Sequence, residues 1–134
     1  MQVLLDTHAL FWWLVDSPQL PQQARKVIGE AETVFISAAS MWEVATKVRL
    51  GKWPSMVPLL SHYESWIGQA GFEPLSISFQ HAHLAGGLDI PHRDPFDRML
   101  IAQSRIESIP LISNEAMFDD FGVTRIWNKS GDIL

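Results

Sequence analysis

Five carboxylates in this sequence stand where a strand is predicted to end or a helix to begin. Asp6 directly follows the apolar run Val3-Leu4-Leu5, and an aromatic, strongly apolar segment comes after it. This pattern predicts a short buried strand that turns into a helix and delivers one carboxylate to the edge of a sheet. Asp6 could cap that helix by accepting a backbone N–H bond, or it could bind a metal ion. The other four positions are Glu43, Asp94, Asp97 and Glu115.

Glu43 has two competing interpretations. The run Ser40-Met41-Trp42-Glu43 matches a capping box, in which Glu43 would serve only the start of its helix. A helix that begins nearer Ser37 instead places Glu43 in the second turn, where it points toward the strand edge. The sequence leaves both interpretations open.

The run Asp94-Pro95-Phe96-Asp97 is the sharpest local signal. An aspartate before a proline is a natural N-cap with the proline at the first helical position. Asp97 then lies one turn into the helix, on the same side as Asp94. Although compensation of the helix dipole could explain both acids, we assign Asp94 mainly to the cap and Asp97 mainly to chemistry.

Glu115 follows the predicted strand that ends in Ser113, and an acid in the first turn of a helix is ordinary. Among the histidines, His8 and His92 lie close in sequence to Asp6 and Asp94 and could reach a substrate. His81 and His83 are two positions apart on a predicted helix and do not share a face. The five histidines show no HExxH spacing, so the sequence contains no zinc motif of that type.

The elements that must position these side chains alternate between strand and helix. Helix-forming apolar spacings include Met41, Ala45 and Val48, then Leu60, Tyr63 and Ile67, and Pro74 suits only an edge strand. Predicted strands cover residues 3–5, 33–37, 72–78, 110–113 and 124–127. Predicted helices cover residues 9–15, 22–31, 38–50, 57–70, 79–85, 94–106 and 115–121.

This alternation predicts a three-layer α/β/α fold with a mostly parallel sheet of about five short strands. Ligands of such sheets sit outside the carboxyl ends of the strands, so the acidic side chains are expected to converge there. Converging carboxylates repel one another and have raised pKa values unless a cation is present. Oxygen ligands of this kind suit Mg²⁺ or Mn²⁺, with water completing the shell.

Composition sets limits on the remaining classes of protein. The 134 residues suit a single domain, and 47% hydrophobic with 19% charged residues indicates a globular chain. The absence of cysteine excludes disulfides and thiolate metal sites and agrees with a cytoplasmic location. We expect neither a secretory signal nor a membrane span. The net charge of −5 argues against a generally basic nucleic-acid-binding surface, although a metal ion could supply local positive charge.

Four segments taken together resemble the PIN-domain family, and within it the VapC-type toxins of bacterial toxin–antitoxin pairs. They are Leu-Leu-Asp-Thr-His from position 4, Ile-Ser-Ala-Ala-Ser-Met-Trp-Glu from 36, His-Arg-Asp-Pro-Phe-Asp-Arg-Met-Leu-Ile-Ala-Gln from 92 and Leu-Ile-Ser-Asn-Glu from 111. The resemblance covers residues 1–127 and implies one PIN-like domain over residues 1–134.

The resemblance also implies roles for individual residues. Asp6, Glu43 and Asp97 correspond to the family's first three acids. Glu115 stands where a fourth acid, usually aspartate, follows a hydroxyl residue, here Ser113. The longer Glu115 side chain leaves open whether it meets a metal directly or through water, and Asp94 takes a secondary metal or substrate role.

The implied activity is metal-dependent hydrolysis of RNA phosphodiester bonds, with one or two Mg²⁺ or Mn²⁺ ions. Thr7, Ser113 and Arg98 (or Arg93) are expected to contact the substrate, although a surface ion pair is the ordinary role of either arginine. Family members pair with a small antitoxin, and a homodimer is expected as well. The apolar side chains predicted to serve such an interface, or else the chain's own core, are Phe11, Trp12, Trp13, Trp53 and Trp66.

Other classes of protein fit less well. An inactive PIN-like scaffold that binds RNA or protein is favoured by the replacement of aspartate by Glu115. A receiver-like phosphorylation domain would need an aspartate after its third strand, where this chain has Ile77-Ser78, and a lysine after its fifth, where Lys129 follows Trp127. A haloacid-dehalogenase-type phosphatase would need a second acid at the position of His8.

Overall fold

A single parallel sheet organises the molecule, for which the computed structural model describes residues 1–128. Its strands lie in the order β3-β2-β1-β4-β5, with β1 in the centre, and each neighbouring pair is parallel. The predicted parallel α/β sheet is therefore confirmed. The strands are β1 (Gln2–Leu5), β2 (Thr33–Ser37), β3 (Glu73–Leu75), β4 (Leu111–Ile112) and β5 (Arg125–Ile126).

The helices cover both faces of this sheet because successive β1 side chains point in opposite directions. Val3 and Leu5 pack into a core with α1 and α2, whereas Leu4 packs with Leu100 and Ile101 of α7 on the other face. The helices are α1 (Thr7–Leu14), α2 (Gln22–Glu30), α3 (Ala38–Arg49), α4 (Val57–Ser61), α5 (Tyr63–Ala70), α6 (Phe79–Gly87) and α7 (Pro95–Glu107). Short 3-10 turns cover Pro54–Met56 and Ala116–Phe121.

The single helix predicted for residues 57–70 is wrong. The helix is interrupted at His62, whose φ of −130° and ψ of 36° are not helical, so α4 and α5 are separate helices. Tyr63 follows the break and is exposed instead of facing inward. Trp66 anchors the two pieces to each other, since its indole N–H donates to the Leu59 carbonyl at 2.6 Å.

The predicted inward face of α3 is also displaced. Met41, Ala45 and Val48 are only half-buried, while the buried side chains are Ala39, Ser40, Glu43 and Val44. The spacing of apolar residues does not predict this face, because two of its four residues, Ser40 and Glu43, are polar. Their burial becomes possible because Thr7 of α1 hydrogen-bonds both of them, which satisfies polar groups removed from water.

Other local predictions are confirmed. Pro74 lies on the edge strand β3, and the Asp94-Pro95 pair begins α7 as its N-cap and first helical residue. No helix within residues 1–128 is both long and apolar enough to cross a membrane. The predicted domain over residues 1–134 includes positions 129–134, Lys129 among them, which lie outside the described residues.

Candidate active site at the carboxyl edge of the sheet

All five predicted carboxylates line one pocket of about 160 Å³ beyond the carboxyl end of β1. β1 delivers the first of them, α3 the second, and the start of α7 two more. The loop after β4 delivers the fifth. The lining residues are Asp6, Thr7, His8, Glu43, Lys47, Asp94, Asp97, Leu100 and Glu115.

Asp6 caps α1 and faces the pocket at the same time. Its Oδ1 accepts the backbone N–H of Ala9 at 2.8 Å, and the Ser113 hydroxyl also hydrogen-bonds its carboxylate. The side chain is 6% exposed. Burial raises its pKa from 3.8 to about 6, because the two hydrogen bonds offset only part of the cost of desolvation. Glu115 and Asp97 add like charge that raises the pKa further.

Glu43 lies in the second turn of α3, since Ser37 caps this helix by accepting the Ala39 N–H at 2.9 Å. The capping box with Ser40 therefore does not form. Thr7 donates its hydroxyl to Glu43 Oε1 at 2.6 Å, and the Lys47 ammonium donates to Oε2, also at 2.6 Å. The Glu43 carboxylate is buried but has a partner on each oxygen.

Asp97 follows its helix cap by one turn, as predicted. Asp94 Oδ1 accepts the N–H groups of Phe96 at 2.8 Å and Asp97 at 3.1 Å, which fixes the start of α7. Asp97 Oδ2 lies 2.7 Å from Nε2 of His92. Burial raises the pKa of Asp97, the hydrogen bond from His92 opposes the rise, and the charge of Asp94 adds to it.

Glu115 is an exposed member of the pocket lining, at the start of the 3-10 turn Ala116–Phe121. Its backbone N–H donates to the Ser113 hydroxyl oxygen at 3.0 Å. The fully buried Ser113 thus joins the backbone of Glu115 to the carboxylate of Asp6. Its position agrees with a role in holding the two acids near each other.

Arg98 does not line the pocket. Its guanidinium donates to four backbone carbonyls, those of Ala85 and Gly86 in the last turn of α6 and those of Leu88 and His92 in the segment that follows. His81 is likewise occupied elsewhere: it accepts the Ser78 N–H at its Nδ1 and lies 2.9 Å from Glu107. His8, in contrast, lines the pocket.

Lys47 lines the pocket beside Glu43 and is not among the predicted site residues. The signal for it is the Glu-x-x-x-Lys spacing from Glu43 to Lys47 on a predicted helix, which places the two side chains on one face. The aromatic residues named for an interface are only partly exposed, because Trp12, Trp13 and Trp66 pack against the core and Phe11 packs against Trp53. The most exposed aromatic side chains of residues 1–128 are instead Trp42 and Phe79, at 58% and 96%.

The oxygen atoms that line this pocket are suitable ligands for Mg²⁺ or Mn²⁺, because these ions prefer carboxylate and hydroxyl oxygens. Within residues 1–128, however, no three acidic or histidine side chains are gathered tightly enough to hold one ion among them. An ion there would therefore take water along with one or two carboxylates, or require small side-chain movements. Asp6, Glu43 and Asp97 are the buried or half-buried acids that could hold it.

Comparisons with known proteins agree with this architecture. Ribonuclease VapC22 of Mycobacterium tuberculosis is 26% identical over 103 residues, which cover 75% of this chain and 76% of that protein. The fold is similar to that of DNA-bound VapBC from Salmonella typhimurium, with a TM-score of 0.67 and 16% identity over 94% of this chain and 97% of the other. It is similar also to VapC20 of Mycobacterium tuberculosis, described as a sarcin-ricin loop cleaving toxin, with a TM-score of 0.63 and 12% identity over 94% and 99%.

The family assignment depends on a match that spans most of the molecule. The PIN domain family matches residues 3–123, from the first buried residue of β1 to the end of the segment before β5. That span includes every carboxylate of the pocket and both cores of the sheet. The chain belongs to the PIN domain family.

Proposed function

We propose that this chain is a metal-dependent endoribonuclease that hydrolyses RNA phosphodiester bonds and acts as the toxin of a toxin–antitoxin pair. The observation that carries the proposal is the convergence of Asp6, Glu43 and Asp97 in one pocket of a PIN-domain fold. The ribonuclease name of the curated relative VapC22 supports the same activity.

Asp6, Glu43 and Asp97 would hold the divalent cation, with Asp94 and Glu115 on the rim of the same pocket. When bound, the cation would activate a water molecule and neutralise charge on the phosphate. The protein's own side chains keep the ligands in place: Thr7 holds Glu43, Ser113 holds Asp6, and His92 holds Asp97. Such fixed partners reduce the reorganisation that the reaction would otherwise require.

Hydrolysis requires that the attacking water lose a proton as its oxygen bonds to phosphorus and the bond to the leaving oxygen breaks. A carboxylate on the rim of the pocket, that of Asp94 or Glu115, can accept that proton. The leaving oxygen takes a proton in turn, so the products are a phosphate-terminated and a hydroxyl-terminated RNA strand.

Cleavage of single-stranded RNA by purified protein tests the proposal. We expect cleavage with Mg²⁺ or Mn²⁺ and none with EDTA, and about a 100-fold or greater loss in Asp6→Asn and in Asp97→Asn. Asp120→Asn, which neutralises an exposed acid outside the pocket, serves as the matched control and should cleave normally. Unchanged cleavage by folded Asp6→Asn and Asp97→Asn would show that the pocket is not the site.

A second candidate function is an inactive PIN-like scaffold that binds RNA or protein. One feature favours it: both Glu43 oxygens are already occupied by side chains of this chain. A scaffold would bind RNA in the same experiment without cutting it at any metal concentration. Mapping the cut sites also identifies the target if the protein is an enzyme.

We propose two protein partners and a cytoplasmic location, where such an RNA substrate would be met. A small antitoxin is supported by the relatives of this fold that were solved as toxin–antitoxin complexes, and a short reading frame beside the gene is its expected source. A homodimer is supported by a shallow apolar groove of about 190 Å³ lined in part by the exposed side chains of Trp42 and Ile77. Exposed apolar surface of this kind is typical of interaction sites.

A further inference from the structure

Lys47 is the one lysine or arginine among the residues that line the acidic pocket in the described part of the chain. It lies one turn after Glu43 on α3, with its Nζ 2.6 Å from Glu43 Oε2. About a third of its side chain is exposed. A cation at the mouth of a pocket lined by five carboxylates is both attracted to them and within reach of solvent.

An aromatic wall limits where this ammonium can move. Its Nζ lies 5.6 Å from the centroid of the Trp53 ring, within range of a cation–π contact. The same Trp53 ring packs on His8 at 5.3 Å and on Phe11 at 5.2 Å. Lys47 is therefore held between Glu43 and an aromatic face that itself borders the pocket through His8.

The two oxygens of Glu43 have different partners, and this difference has a chemical consequence. Thr7 holds Oε1 and comes from α1, so it keeps the carboxylate in place when the other oxygen changes partner. Lys47 holds Oε2, and both Glu43 and Lys47 line the same pocket as the other acids. A divalent cation that binds Glu43 Oε2 must displace the Lys47 ammonium, since the two positive charges would compete for one oxygen.

We propose that Lys47 binds a phosphate of the RNA substrate: it neutralises Glu43 while no divalent cation is bound, and turns to the RNA backbone once a cation takes Glu43 Oε2. This proposal rests on the ribonuclease function proposed above. A lysine suits the task because its ammonium is a flexible point charge with three donors and binds phosphate without a fixed orientation. The freed ammonium also needs a new anion, and the phosphate brought to the pocket supplies it.

Two measurements on Lys47→Met test the exchange without relying on cleavage. Calorimetric titration with Mn²⁺ alone should show binding that is roughly 3- to 10-fold tighter than in the wild type, because the competing ammonium is gone. Binding of single-stranded RNA in Ca²⁺ should weaken, and the slope of log affinity against log salt should fall by about 0.7, as expected for one lost phosphate contact. Lys47→Arg should restore the slope.

The kinetic expectation is a rise of roughly tenfold in KM with kcat changed less than about threefold, as for a group that binds substrate and transition state equally. Lys52→Met, which replaces an exposed lysine outside the pocket, is the matched control and should match the wild type in every measurement. Lys47→Gln provides a second neutral variant should Lys47→Met fail to fold.

The proposal is overturned if neutral variants bind Mn²⁺ no more tightly than the wild type, or if their salt slope is unchanged. Either result would make Lys47 a structural partner of Glu43 only. These outcomes are separate from failure of the proposed function, which would appear as a wild-type protein that binds Mn²⁺ and RNA but cuts no RNA.

Discussion

Three of the five acids in the pocket are each held by a side chain from another position in the sequence. Asp6 is held by Ser113, Glu43 by Thr7 and Lys47, and Asp97 by His92. These partners offset only part of the desolvation cost for Asp6 and Asp97, whose pKa values remain raised. The protein therefore carries ionised carboxylates that weaken its own fold at neutral pH, which is a common cost of function.

Replacing Asp6 by asparagine should stabilise the metal-free protein in a pH-dependent manner. A folded-state pKa raised from 3.8 to about 6 means that the stability contributed by Asp6 is fully present below pH 3.8 and is lost as the pH rises through 6. An asparagine at this position would stay neutral and still cap α1. We expect Asp6→Asn in EDTA to be more stable by up to about 3 kcal/mol at pH 7.5, and by about half of that at pH 5.

Urea unfolding at the two pH values measures this difference, and titrating groups that do not interact with Asp6 cancel between the two proteins. A variant that is less stable than the wild type at pH 7.5 would contradict the raised pKa of Asp6. Added Mn²⁺ should stabilise the wild type but hardly affect Asp6→Asn, since a ligand stabilises only the state that binds it.

The acids of the candidate site could be predicted from sequence, whereas their partners could not. Asp6, Asp97 and Glu115 are recognisable because strand ends and helix starts have local signatures. The hydroxyl of Thr7 reaches Glu43 only when α1 and α3 pack together, and the sequence predicts instead that Thr7 contacts substrate. Whether Glu43 is a cap or a ligand candidate depends on the start of α3, which the Ser37 hydroxyl decides.

At the scale of elements, two side chains fix the start of α7, one by capping the helix and the other by binding the segment that precedes it. Asp94 caps the first turn, while Arg98 gathers the carbonyls of the preceding segment from Ala85 to His92. Because His92 in turn contacts Asp97, the arginine positions a pocket residue through the backbone without lining the pocket itself.

Arg98→Lys should therefore destabilise the protein although it conserves the charge. A lysine cannot reproduce a guanidinium fork that serves four carbonyls, and several half-buried acceptors would lose their donor. We expect a loss of about 1–3 kcal/mol in the free energy of unfolding, measured in urea. Arg93→Lys, at an exposed position in the same segment, is the control and should change stability by less than about 0.5 kcal/mol. Equal stability of the two variants would contradict this role.

Most elements follow from local signals, and the exceptions have tertiary causes. The strands β1 and β2 and the start of α7 agree with the predicted bounds because apolar runs and Asp-Pro are strong signals. The break at His62 has no glycine or proline to announce it, and the Trp66 bond to the Leu59 carbonyl becomes visible only in the folded chain. The predicted inward face of α3 depends on apolar spacing alone, which overlooks Ser40 and Glu43.

At the scale of the whole molecule, the exposed groove beside Trp42 predicts self-association. We expect the purified wild-type chain to sediment as a dimer and Trp42→Lys as a monomer, because a buried ammonium in an apolar interface would be costly. Phe79→Lys changes an even more exposed aromatic outside the groove and should remain dimeric. Sedimentation velocity distinguishes these outcomes. A dimeric Trp42→Lys, or a wild type that stays monomeric, would exclude this groove as the interface.

The central position of β1 determines when a newly synthesised chain can carry the proposed activity. β1 leaves the ribosome first, but its neighbour β4 follows only at Leu111–Ile112, and the backbone N–H of Asp6 bonds to the Ile112 carbonyl. Such long-range pairing forms late, since the intervening chain must be present before the ends can meet. A chain interrupted before β4 therefore lacks the complete pocket, and incomplete translation products would not carry the proposed ribonuclease activity. The time between the synthesis of β1 and the synthesis of β4 is therefore an interval in which an inhibitor can be made before the pocket is complete.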